Sequence, residues 1–156
     1  MRSHTMRGII EPNQYNSGVR IQMNKGILSP TGWRIVFFRI SIANPVVGDE
    51  DVAAKLATSE LETGGTTAGQ VWDWSDSREI AWASEFSPNN AYRRNTGSFT
   101  PVIDMDNVVY EDLYIYAGSD DGSSNGINYF IVAEEIELAP EQKSFSIIRA
   151  RAQDLD

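Results

Sequence analysis

The 156-residue chain reads as all-β, a single antiparallel β-sandwich, on three observations. Short segments alternate apolar and polar residues with period two. Six or more of them recur about every ten residues, separated by Gly, Pro, Asn and Asp clusters. Aromatic and β-branched residues concentrate within them. A chain of this length buries roughly 70% of its unfolded surface in one core and is short for two, so one domain is placed at 17–156 behind an extended N-terminal arm at 1–16.

Met1–Asn16 shows neither helical nor strand period, as an arm ordered on a partner would. Val19–Met23 alternates as a short strand between turn residues. Trp33–Ile42 is the best strand of the chain: Val36, Phe38, Ile40 and Ile42 share one face, with Phe37, Arg39 and Ser41 opposite. Trp33, Ile35 and Phe37 make that second face apolar in the first half, which predicts cover on both sides there. Asp49–Leu61 carries a short helical pattern in Val52, Lys55, Leu56 and Ser59 before a loop at Thr63–Gly69.

Trp72, Trp74, Ile80, Trp82 and Phe86 all fall at even positions around Ser75-Asp76-Ser77. That spacing predicts a hairpin whose tryptophans anchor the core. Ser87–Ser98 is a long polar loop, a natural contact element. Asn107–Ala117 puts Leu113, Ile115 and Ala117 on one face and Tyr110, Tyr114 and Tyr116 on the other. After the Gly118–Gly126 turn, Asn128–Leu138 resumes with Phe130, Val132, Ile136 and Leu138 in phase, so the two strands are expected to form a hairpin. Pro140 and Glu141 open a short C-terminal helix over 140–153, with Arg149 and Arg151 near its negative end. Jelly-roll is the preferred form of the sandwich.

Charge divides by position. Residues 1–44 hold six Lys/Arg and one acid, net +5; the remainder holds seven against 21, net −14. A cationic lead segment on an acidic body is self-complementary between copies, although neutralisation within one copy gives the same division. The overall acidity confines any nucleic-acid contact to the arm. No apolar run approaches the ~20 residues that span a bilayer, so membrane insertion is not expected.

Enzymatic chemistry has little to stand on. There is no Cys, and the only histidine is His4 in the arm, which leaves no Ser-His, Cys-His or zinc arrangement. Asp73, Asp76, Glu79 and Glu85 flank the tryptophans, as a carboxylate glycosidase requires. The plainer account, the solvated face of a hairpin, is preferred. Asp120 and Asp121, with Ser123 and Asn125, offer oxygens to a hard cation without matching the EF-hand spacing, and a polar turn is the preferred reading. No catalytic residue, cofactor, small-molecule substrate or assigned metal site is expected. Tyr110, Tyr114 and Tyr116 combine apolar area with hydroxyls, as subunit contacts or a sugar platform do. With Arg2, Arg7, Arg93, Arg94, Arg149 and Arg151 they make up the expected interface set.

Asp104–Ala117 (DMDNVVYEDLYIYA), a polar gap, Ile127–Glu134 (INYFIVAE) and a terminal segment ending Ile148–Gln153 resemble the C-terminal part of small virion coat proteins of environmental and archaeal viruses. The resemblance implies a non-catalytic β-sandwich subunit of a virion, with copies of itself and other virion proteins as partners. The arm is short and weakly basic beside those of genome-packing coat proteins. A carbohydrate-binding β-sandwich module is the alternative.

Overall fold

The computed structural model describes residues 2–15, 17–23, 31–44, 50–61, 69, 71–87, 97–120, 125–141, 144 and 148. Its strands are β1 (Ser3–Ile10), β2 (Val19–Gln22), β3 (Thr31–Ile42), β4 (Glu50–Ala57), β5 (Glu79–Ser87), β6 (Gly97–Ser98), β7 (Val102–Ile103), β8 (Asp112–Ser119) and β9 (Ile127–Glu137). One sheet has the order β1-β9-β3, the other β2-β8-β4-β5-β6 with β7 also on β5. Every pairing among the described residues is antiparallel, consistent with a β-sandwich.

The core lies between the sheets. Ile10, Phe38, Ile42, Ile127 and Ile131 from the first sheet face Leu56, Ile80, Leu113 and Ile115 from the second, all fully buried. Burial of each such side chain contributes about 1.5–3 kcal/mol.

A bulge decides which residues of β3 reach that core. Ile35 pairs with Ala133 and Phe37 with Val132, leaving Val36 as the extra residue. Inward positions therefore run Trp33 and Ile35, then Phe38, Ile40 and Ile42. Both halves bury one face only, and Phe37 is turned out; the cover expected on both sides is replaced by a change of parity.

Several expectations are corrected. The segment read as an arm contains an edge strand, β1, paired along its length with β9. The helical pattern at 49–61 is β4, whose Val52, Ala54 and Leu56 alternate into the core. Only the second half of the tryptophan segment is a strand: β5 pairs with β4, not with 71–78. β8 and β9 do not form a hairpin, because they lie in different sheets. On β9 the inward residues are Ile127, Ile131 and Ala133, with Tyr129 packed against them, so the Phe130/Val132 phase faces outward.

Of the expected C-terminal helix, Pro140, Glu141, Ser144 and Ile148 are helical, and the Ser144 hydroxyl donates to the Pro140 carbonyl. Its other residues, Arg149 and Arg151 among them, lie outside the described residues, as do the segments 24–30, 62–68, 88–96 and 121–124.

Candidate interaction surfaces

Register builds the outer face of the first sheet row by row. Arg7 on β1 and Arg39 on β3 both stand opposite Phe130 on the central β9. One row away Ile9 and Ser41 flank Asn128, and on the other side Thr5 and Phe37 flank Val132. Residues two apart on a strand share a face, so these side chains form one surface. It remains open to solvent: Ile9 is 44% exposed, Phe37 43% and Phe130 39%. The Phe37 and Phe130 rings meet edge to face, with centroids 5.9 Å apart. Arg7, Ile9, Arg39, Ser41, Asn128 and Phe130 border an open depression of about 610 Å³.

Charge on this face is uneven. Its one acid, Glu134, sits in the end row opposite Arg34. Among the described residues, Arg7 and Arg39 have no ion pair. Two unpaired guanidinium groups beside an exposed ring form a cationic aromatic patch on a chain of net charge −9.

The second sheet is covered where the first is bare. Thr58–Leu61, Gly69 and Val71–Trp74 lie over the outer sides of β4, β5 and β8. Lys55 and Glu79 form a buried ion pair beneath them. The Lys55 ammonium also donates to the Val71 carbonyl at 2.8 Å. Glu79 Oε2 accepts from the Asp73 backbone N–H at 3.0 Å and the Trp82 indole N–H at 2.9 Å. A carboxylate saturated by an ammonium and two N–H donors is a clamp rather than an accessible base. Glu79 and Glu85 are thus buried, not part of the solvated face expected of them. Asp73 and Asp76 do face outward or lie part-exposed. The Ser75 hydroxyl and N–H hold Asp73 below the usual carboxylate range, and the Arg78 guanidinium does the same for Asp76.

Beside the clamp, aromatic groups reach the surface. Trp74 is 62% exposed and meets the Trp82 ring at a tilt of 49° with centroids 5.8 Å apart, while Trp72 meets Phe99 at 6.2 Å. Val102 pairs with Trp82, and the Asp104 N–H donates to the Ile80 carbonyl, which lays 102–104 along β5 next to the Trp82 ring that Trp74 meets. The exposed acids here are Asp73 and Asp106.

The expected interface set is only partly assembled. Arg7 lies on the cationic face, and Arg2 is exposed just before β1. Tyr116 is fully buried, its hydroxyl bonded to the Leu61 N–H, so it is corrected from contact residue to internal tie. Tyr114 packs part-buried beside it, and Tyr110 precedes β8 rather than sharing its stripe. Arg93, Arg94 and Asp121 lie outside the described residues. Asp120 accepts the Asp51 N–H at 2.9 Å and closes the end of β8 on β4. No group of three or more metal-ligating side chains occurs among the described residues. No helix among them is long and apolar enough to cross a membrane.

Phe37, Arg39 and Phe130 were not singled out as surface residues from sequence. The available signal was that β9 is apolar in both phases, which means one phase has to face something other than the core. No protein-family model, curated protein or solved structure matches the chain.

Proposed function

We propose that the protein is a non-catalytic structural subunit, a jelly-roll sandwich that associates with copies of itself to build part of a virion. The observation that carries this reading is the exposed Arg7–Phe130–Arg39 row. A monomer rarely keeps aromatic rings and free arginines together on an open sheet face, whereas subunit contacts are enriched in both.

Nested strand pairing supports the jelly-roll form. β1 pairs with β9, β2 with β8 and β4 with β5. Between them Trp33 of β3 bridges Val109, in the place where a third nested pair belongs. A long antiparallel ribbon folded over on itself produces this order, and jelly rolls of that kind are used in viral capsids. Fold alone does not assign a role, so the virion setting rests on the resemblance of 104–117 and 127–134 to small coat proteins.

Light scattering of the full chain across concentration and salt, followed by electron microscopy of the largest species, tests the reading. Discrete oligomers, rings or shells are expected. A monomer under every condition would overturn it.

Trp74 favours a second reading, a carbohydrate-binding module. An exposed indole beside Asp73 is the kind of platform on which a sugar ring stacks. Tryptophan emission unchanged across a panel of soluble glycans would dismiss it.

A further inference from the structure

The outer faces of the two sheets are opposite in charge and alike in aromatic content. One presents Arg7 and Arg39 around Phe130, with Phe37 at its edge. The other presents Trp74 and Phe99 beside the exposed acids Asp73 and Asp106. On that second face the nearby cations are engaged: Lys55 is buried on Glu79, and Arg78 is paired with Asp76 at 2.8 Å. We infer that the Phe130 face of one copy docks on the Trp74 face of a second copy, head to tail. The inference rests on the assembly reading above and specifies its contact.

Charge complementarity selects this occupant. A chain of net charge −9 repels a polyanion as a whole, yet it supplies on its own surface the carboxylates that two unpaired arginines lack. In the docked pair Arg7 and Arg39 meet Asp73 and Asp106 of the second copy at the rim, and the phenylalanine rings pack against its Trp74. Water is excluded at the aromatic centre, so rim ion pairs set orientation while ring packing supplies most of the affinity. Raised salt therefore weakens the contact without abolishing it. The two patches belong to opposite outer faces of one sandwich, so the contact is heterologous and every docked copy keeps one face free. Such a contact propagates into a ring if its rotation closes and into a filament if it does not.

Two full-length variants test this by sedimentation equilibrium: Arg7→Ala with Phe130→Ala, and Asp73→Ala with Trp74→Ala. All four side chains are exposed, and circular dichroism verifies that each variant is folded. Each variant alone should self-associate about tenfold more weakly or worse. An equimolar mixture should form a 1:1 heterodimer that grows no further, since each partner retains one intact face. If only the Phe130 variant loses association and the mixture gives no heterodimer, the contact pairs like faces; the inference then fails while the assembly reading stands. Wild-type chain that stays monomeric throughout overturns both. Monomeric wild type that binds a labelled oligo-dT through Phe130 assigns the face to nucleic acid and likewise overturns the inference.

Discussion

Lys55 and Glu79 are paired across adjacent strands on the outer side of the second sheet, sealed from water by residues that fold back over them. Neither charge forms a second ion pair among the described residues, and Asp76, the other carboxylate that feels Lys55, is already paired with Arg78. Removal of one partner leaves the other buried and uncompensated. Lys55→Ala should therefore destabilise the fold by about 3–5 kcal/mol, as should Glu79→Ala, which also strands the Asp73 and Trp82 N–H groups. The Lys55→Ala/Glu79→Ala double variant should lose at least ~1 kcal/mol less than the two single losses added together. Urea midpoints at constant slope measure all three, and strict additivity would contradict a coupled pair.

Tyr116 links the same cover to β8. Its hydroxyl accepts the Leu61 N–H at 2.7 Å, and burial raises its pKa above the ordinary 10.0. The unfolded chain then releases the phenolic proton first. Stability is complete below the unfolded value and falls as pH rises through the higher folded one. Tyr114 and Tyr129 are shifted the same way, also by burial, so base denaturation should draw on all three. Tyr116→Phe should cost about 1–3 kcal/mol at neutral pH by orphaning the Leu61 N–H. It should also make the alkaline loss shallower. Urea midpoints between about pH 8 and 12 test this, and a loss as steep as in wild type would contradict it.

Period two was legible wherever one face of a strand is buried and the other is wet. β8 is the clear case, with Leu113, Ile115 and Ala117 inward as expected. It misled where both phases are apolar: on β9, Phe130 and Val132 look as much like core as Ile131 and Ala133, and only pairing with β1 and β3 decides between them. The β3 bulge was invisible for a related reason, because Val36 suits either face and one inserted residue reverses parity without changing composition. The helical spacing of Val52, Lys55, Leu56 and Ser59 lent β4 a helical look that its place between β5 and β8 overrode. The arginine-flanked ring was hidden because Arg7, Arg39 and Phe130 are far apart in sequence and meet only through register.

Gly69 marks a close approach of the cover to the sheet. A Cβ there would sit 2.3 Å from the Ala117 carbonyl carbon and 2.4 Å from its Cα, both rigid backbone atoms. Gly69→Ala should push the segment off β8 at a cost of about 1–3 kcal/mol. The Trp72 indole, which donates to the Gly69 carbonyl at 3.3 Å, should be released with it. A red shift in tryptophan emission together with a lower melting temperature is expected. An unchanged spectrum and melt would mean that the approach is looser than these distances require.

Glu85 ties the two sheets together. It sits buried on β5, and its Oε2 accepts the Ile42 N–H at the end of β3, 2.6 Å away. A buried N–H that loses its acceptor bears the full cost of desolvation, whereas an amide side chain at the same position still offers a carbonyl oxygen. Glu85→Ala should therefore be more destabilising than Glu85→Gln by about 1–2 kcal/mol. The local readout is hydrogen exchange at Ile42: protection should persist in Glu85→Gln and fall in Glu85→Ala by more than the global loss of stability explains. Equal protection in both variants would mean that the carboxylate is held by packing alone, and that the link between β5 and β3 depends on the neighbouring apolar contacts rather than on this hydrogen bond.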